Sequence, residues 1–97
     1  SALGLWIEAC EAAATARPLA TLDAAIAAAK RDFDARFERA QVLMAALRFT
    51  DAMDELLEIL MRDKAWADQR ARKLYVAILE LMTKPQAKPA AAEAKGT

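Results

Sequence analysis
Apolar residues recur at helical intervals in five stretches of the chain. They are Leu3, Trp6, Ile7, Cys10 and Ala14; Leu19, Leu22, Ile26 and Ala29; Phe33, Phe37, Ala40, Met44 and Leu47; Met53, Leu56, Leu57 and Leu60; and Ala71, Leu74, Tyr75, Ile78 and Met82. Steps of three and four put each set on one face of a helix, so the pattern predicts five amphipathic helices and an all-α fold. The breaks carry helix-start residues. Pro18 suits a first helical turn, Asp32 or Asp34 can cap the third helix, Thr50 or Asp51 the fourth, and Asp68 the fifth.

The pattern stops after Met82. Residues 84–97 read "KPQAKPAAAEAKGT", with no large apolar side chain to tie them to a core. The expected organisation is one helical domain over residues 1–83 followed by a disordered tail over 84–97.

Composition narrows the function more than the fold. Much of the 57% apolar content is alanine, and only two glycines and three prolines interrupt 97 residues. Such a chain builds helices but has little bulk for a large core. Fourteen basic and fourteen acidic residues cancel, so no general attraction to nucleic acid or anionic lipid is expected. A helix-turn-helix DNA binder is therefore a poor fit. One cysteine and no histidine leave no disulfide framework, no usual zinc site and no histidine-based catalysis, and no cofactor is expected. Cys10 reads as a small buried apolar residue on the first helix. The N-terminus lacks a basic region followed by an apolar one, and no run suits a bilayer. The chain reads as a soluble cytoplasmic protein. There is no nucleophile and base pair and no glycine-rich phosphate loop, so an enzyme is not expected. Glu8, Glu11, Glu55 and Glu58 read as solvent-facing helix residues, and Met44, Met53, Met61 and Met82 as core that becomes adaptable surface wherever it is exposed.

An offset of 34 residues superposes Leu22 on Leu56, Ile26 on Leu60, Lys30 on Lys64, Asp34 on Asp68 and Arg36 on Arg70. That is the period of the tetratricopeptide repeat, a pair of antiparallel helices too thin to bury its apolar faces without a neighbour. Residues 35 to 64 resemble the repeat more closely: small Ala40 at a tight helix crossing, Phe49 at the turn, Ala52 at a close approach, then Leu56 and Ile59 as bulk. The expected architecture is thus a short tetratricopeptide-like solenoid of about five helices, its antiparallel pairs stacked, with one pair near 33 to 47 and 50 to 63. Leu47 and Lys64 stand where glycine and proline are common in the repeat. Arg39 stands where leucine is usual, its stem on the core and its head in water.

From Asp34 to about Leu81, about half the chain, the sequence resembles the C-terminal region of bacterial thioredoxin-like proteins fused to tetratricopeptide repeats, the chaperedoxin family. Three blocks carry the likeness: Asp34, Ala35, Arg36, Phe37 and Ala40; then Ala52, Leu56, Leu57, Glu58 and Ile59; then Arg62, Asp63, Trp66, Asp68, Ala71, Arg72, Lys73 and Leu74. The third is the most specific, and Asp63, Trp66, Asp68 and Arg72 are its structural signature. Trp66 reads as a wedge covering the ends of the fourth and fifth helices. Arg72 is expected to pair with Asp68 one turn earlier.

The resemblance implies a non-catalytic protein–protein interaction module that holds unfolded or oxidation-damaged clients and docks on the chaperonin. It also implies a thioredoxin-like domain N-terminal to Ser1. Arg36, Arg39, Arg70 and Lys73 are the candidate lining of a basic partner-binding groove, against the plainer reading of a solvated face with weak ion pairs such as Glu38 with its neighbour Arg39. Two alternatives stand beside client holding: a generic tetratricopeptide scaffold, and a structural oligomerisation module in which a second copy covers the exposed apolar face as a homodimer.

Overall fold
The computed structural model describes residues 1–83 and contains five helices: α1 (Ala2–Ala14), α2 (Leu19–Ala28), α3 (Phe33–Ala45), α4 (Phe49–Arg62) and α5 (Trp66–Thr83). No strand occurs among the described residues. The tail expected at 84–97 lies outside them.

The unit on which the rest is built is the α3/α4 hairpin, with α5 stacked against α4. Ala40 and Ala52 are fully buried, as are Leu43, Met44, Leu56 and Ile59 around them. Small residues let the two backbones approach, and the large ones fill the space on either side. Each fully buried leucine or isoleucine contributes roughly 1.5–3 kcal/mol. Asp32 is the α3 cap, its carboxylate accepting from the Ala35 amide at 3.0 Å. The α3 C-terminus is a Schellman motif: Leu47 N–H donates to the Met44 carbonyl at 3.0 Å and Arg48 N–H to that of Leu43 at 2.8 Å. The turn requires a left-handed residue, and Leu47 supplies it at φ 64°. That is why glycine is common at this position in the repeat.

Two expected caps are not used. Arg48, not Thr50 or Asp51, is the residue before α4, and no side chain caps that end; Asp51 instead pairs with Arg48 at 2.8 Å. Asp68 does not cap α5, which begins earlier, at Trp66. Ala67, Asp68 and Gln69 are all left-handed, and regular right-handed helix follows from Arg70. Because those residues are not α-helical, the i,i+4 geometry between Asp68 and Arg72 does not form. Lys73 lies 3.6 Å from the Asp68 carboxylate in its place.

The first two helices are placed unequally. α2 packs on α3 alone, whereas α1 packs on both α3 and α5 and does not touch α2. The C-terminal end of α1 meets the N-terminal halves of α3 and α5, and its first turn meets Arg72 to Glu80, so it runs antiparallel to both. With α4 on the opposite side, α3, α4, α5 and α1 form a closed ring around one core. Ala9 is the α1 residue pressed deepest into that core, flanked by partly buried Leu5 and Trp6. Cys10, beside Ala9, is only partly buried, a correction to its expected place in the core.

Candidate protein-interaction site
The four arginine and lysine positions expected to line one groove are divided between two sides of the hairpin. Arg36 is inside the protein. Its Nη1 donates to Glu55 Oε2 at 2.5 Å and its Nε to the Lys30 carbonyl at 2.7 Å, with both side chains of the ion pair only 8% exposed. Arg39 donates from Nη1 to Glu55 Oε1 at 3.1 Å and from Nε to Asp23 Oδ1 at 2.7 Å. Burial works against the Arg39 charge, but Asp23 and then Glu55 outweigh it and raise its pKa. Glu55 is therefore not solvent-facing. Its two oxygens hold both arginines, tying α4 to α3 and, through Asp23, to α2. Arg36 is committed to this buried clasp, whereas Arg39 is partly exposed and lines a shallow groove with Arg48, Asp51, Asp54, Glu55 and Glu58. Glu58, by contrast, stays at the surface and pairs with Arg62 at 2.6 Å.

Arg70 and Lys73 lie on the other side, along the seam between α1 and α5. Arg70 lays its guanidinium over the Phe37 ring, 4.5 Å from the centroid. Trp66 contacts the same ring, with centroids 5.5 Å apart, and meets Phe33 edge-on at 6.1 Å. Its indole thus joins the start of α5 to α3. Asp63 accepts from the Ala65 amide at 3.1 Å, shaping the turn that delivers Trp66. Arg72 forms no ion pair among the described residues and lines the seams of α5 with α1 and with α4.

Trp66, Phe37 and Arg70 form one wall of a cleft of about 380 Å³. Ala12, Thr15 and Ala16 of the α1 end face them, and Asp34, Glu38 and Gln41 line the α3 side. Glu38 is held by the Arg17 guanidinium at 2.8 Å and by the Arg17 backbone amide at 2.7 Å. Those hydrogen bonds keep its carboxyl below the usual range. Gln41 is the residue that sequence reading missed. It is 9% exposed, and its amide has no hydrogen-bond partner among the described residues. A primary amide carries a donor and an acceptor together, the complement of a peptide bond. Nothing in the sequence sets Gln41 apart from any other polar helix residue; only α1 closing over it makes the position special.

The tetratricopeptide repeat family model matches residues 12–95. The chain belongs to the tetratricopeptide repeat family. Neither the curated proteins nor the solved structures give a match. Tetratricopeptide domains are protein–protein interaction scaffolds, and stacked repeats present surfaces for partner segments. No described helix is long and apolar enough to cross a membrane. Among the described residues no group of histidine, cysteine, aspartate and glutamate side chains could hold a metal ion.

Proposed function
We propose that this tetratricopeptide domain is a non-catalytic cytoplasmic module that holds segments of unfolded client proteins and docks on a chaperonin, with the Gln41–Trp66–Arg70 cleft as its grip. The observation that carries this reading is the Gln41 side chain, largely buried and without a hydrogen bond among the described residues, lining a cleft beside an aromatic wall. An extended segment entering there gains one paired peptide bond at Gln41, apolar contact at Trp66, and an attractive charge at Arg70 for an acidic side chain or a terminal carboxylate. The resemblance of residues 34 to 81 to the chaperedoxin C-terminal region supports clients and chaperonin as the partner class.

The test is dilution of a urea-unfolded model protein into buffer containing the full chain, with light scattering as the readout. Suppressed aggregation that is lost in Arg70→Glu supports the reading. Aggregation unaffected by the wild-type chain, with no binding of the unfolded protein, overturns it.

A further inference from the structure
The outer face of α4 carries a second feature, separate from the cleft. Asp54, Leu57 and Met61 recur along it at steps of three and four, Lys64 follows in the turn after the helix, and all four are exposed. Leu57 is 38% and Met61 71% exposed. Lys64 stands just beyond the helix, where it and Arg72 flank a groove of about 420 Å³ floored by Leu60, Tyr75, Val76 and Leu79. Neither Asp54 nor Lys64 forms an ion pair among the described residues. The packing partners of α4 are α3 and α5, so no described element covers this face. Residues 84–97 contain no leucine, isoleucine, valine, phenylalanine or methionine to fill it.

The order of side chains selects the occupant. The stripe is acidic at one end, apolar in the middle and basic at the other. Laid antiparallel on a second α4, with a two-fold axis midway between Leu57 and Met61, it places Leu57 on the partner's Met61 and Asp54 beside the partner's Lys64. Symmetry then repeats both contacts. A parallel arrangement would set aspartate against aspartate and lysine against lysine. We propose that the chain forms a two-fold homodimer through antiparallel α4 helices, with Val76 and Leu79 extending the apolar contact. With so few exposed apolar side chains per copy, the interface belongs to the small, transient class below about 1,200 Å².

Sedimentation equilibrium of the full chain from micromolar to millimolar concentration tests this. The expected mass climbs from 10.6 kDa towards twice that value. Asp54→Lys and Lys64→Asp each set like charges together at both ends and should weaken dimerisation about tenfold. The double exchange should restore it. All three variants alter only exposed residues, and circular dichroism should show unchanged helix. A wild-type chain that stays monomeric throughout, single exchanges that leave the dimer unaltered, or a double exchange that fails to restore it would each overturn the proposal. The α4 stripe shares no residue with the Gln41 cleft, so client holding should survive in Lys64→Asp, and the two readings can fail separately.

Discussion
Arg36 and Glu55 form an ion pair that is almost wholly removed from water, with the second Glu55 oxygen occupied by Arg39. Two charges taken out of water are tolerable only together. Removing one leaves the other buried and uncompensated, at a cost of about 3–5 kcal/mol. Glu55→Ala should accordingly lower stability by that amount in urea unfolding. Replacing the pair by methionines of similar volume, Arg36→Met with Glu55→Met, should recover most of the loss. A single variant no less stable than the wild type would show that water reaches the pair.

Trp66 joins α5 to α3 through two aromatic contacts, and Arg70 lays its guanidinium over the shared Phe37 ring. Trp66→Ala leaves Phe33 and Phe37 without their partner. The expected loss is about 3 kcal/mol, read from the thermal midpoint. Trp66→Phe should retain much of the contact and lose less. An unchanged midpoint in the alanine variant would remove the indole from the structural account and leave it to the cleft alone.

At Leu47 a substitution should improve the fold. The residue is left-handed, 64% exposed, and closes the α3 C-terminus. A non-glycine residue costs roughly 1–2 kcal/mol in that conformation, while glycine gives back part of the gain through the freedom of the unfolded chain. Leu47→Gly should be more stable by about 0.5–1 kcal/mol in urea unfolding. Leu47→Ala, which keeps the backbone penalty, should change little.

The helices were legible because apolar spacing depends only on which face of a helix meets a core. All five stretches from Leu3 to Met82 fall on or beside the observed helices, and the 34-residue offset pointed to the family that the match over residues 12–95 shows. What periodicity does not encode is which partner a face meets. Glu55 stands on α4 much as Glu58 does, three residues apart, yet one is buried by Arg36 and the other pairs at the surface with Arg62. The division of Arg36 and Arg39 from Arg70 and Lys73 has the same origin. All four satisfy the offset, but α1 lies along one side of the hairpin and α2 along the other. Gln41 was silent for this reason too, since the closure that makes it a site comes from α1, a helix distant in sequence. The left-handed run at 67–69 had no signal at all, because alanine, aspartate and glutamine in that order carry no turn signature.

The Arg17–Glu38 pair gives the chain a dependence on acid whose sign is fixed by the structure. Hydrogen bonds from the Arg17 side chain, against the opposing effect of burial, hold the Glu38 carboxyl below its ordinary value of 4.5. The folded state therefore binds this proton less readily than the unfolded state does. The stabilisation is complete above the unfolded value and disappears as pH falls through the lower folded one. Glu58 is lowered as well, by its hydrogen bond with Arg62, so the wild-type curve sums both groups. The difference between wild type and Glu38→Gln isolates the first. Urea midpoints measured from pH 6 down to pH 3 should show the wild type ahead near neutrality and the two converging in acid. A gap that stays constant across that range would mean Arg17 and Glu38 are not paired in solution. The pair joins the loop after α1 to α3 and forms one edge of the Gln41 cleft, so the same acid window should loosen the cleft.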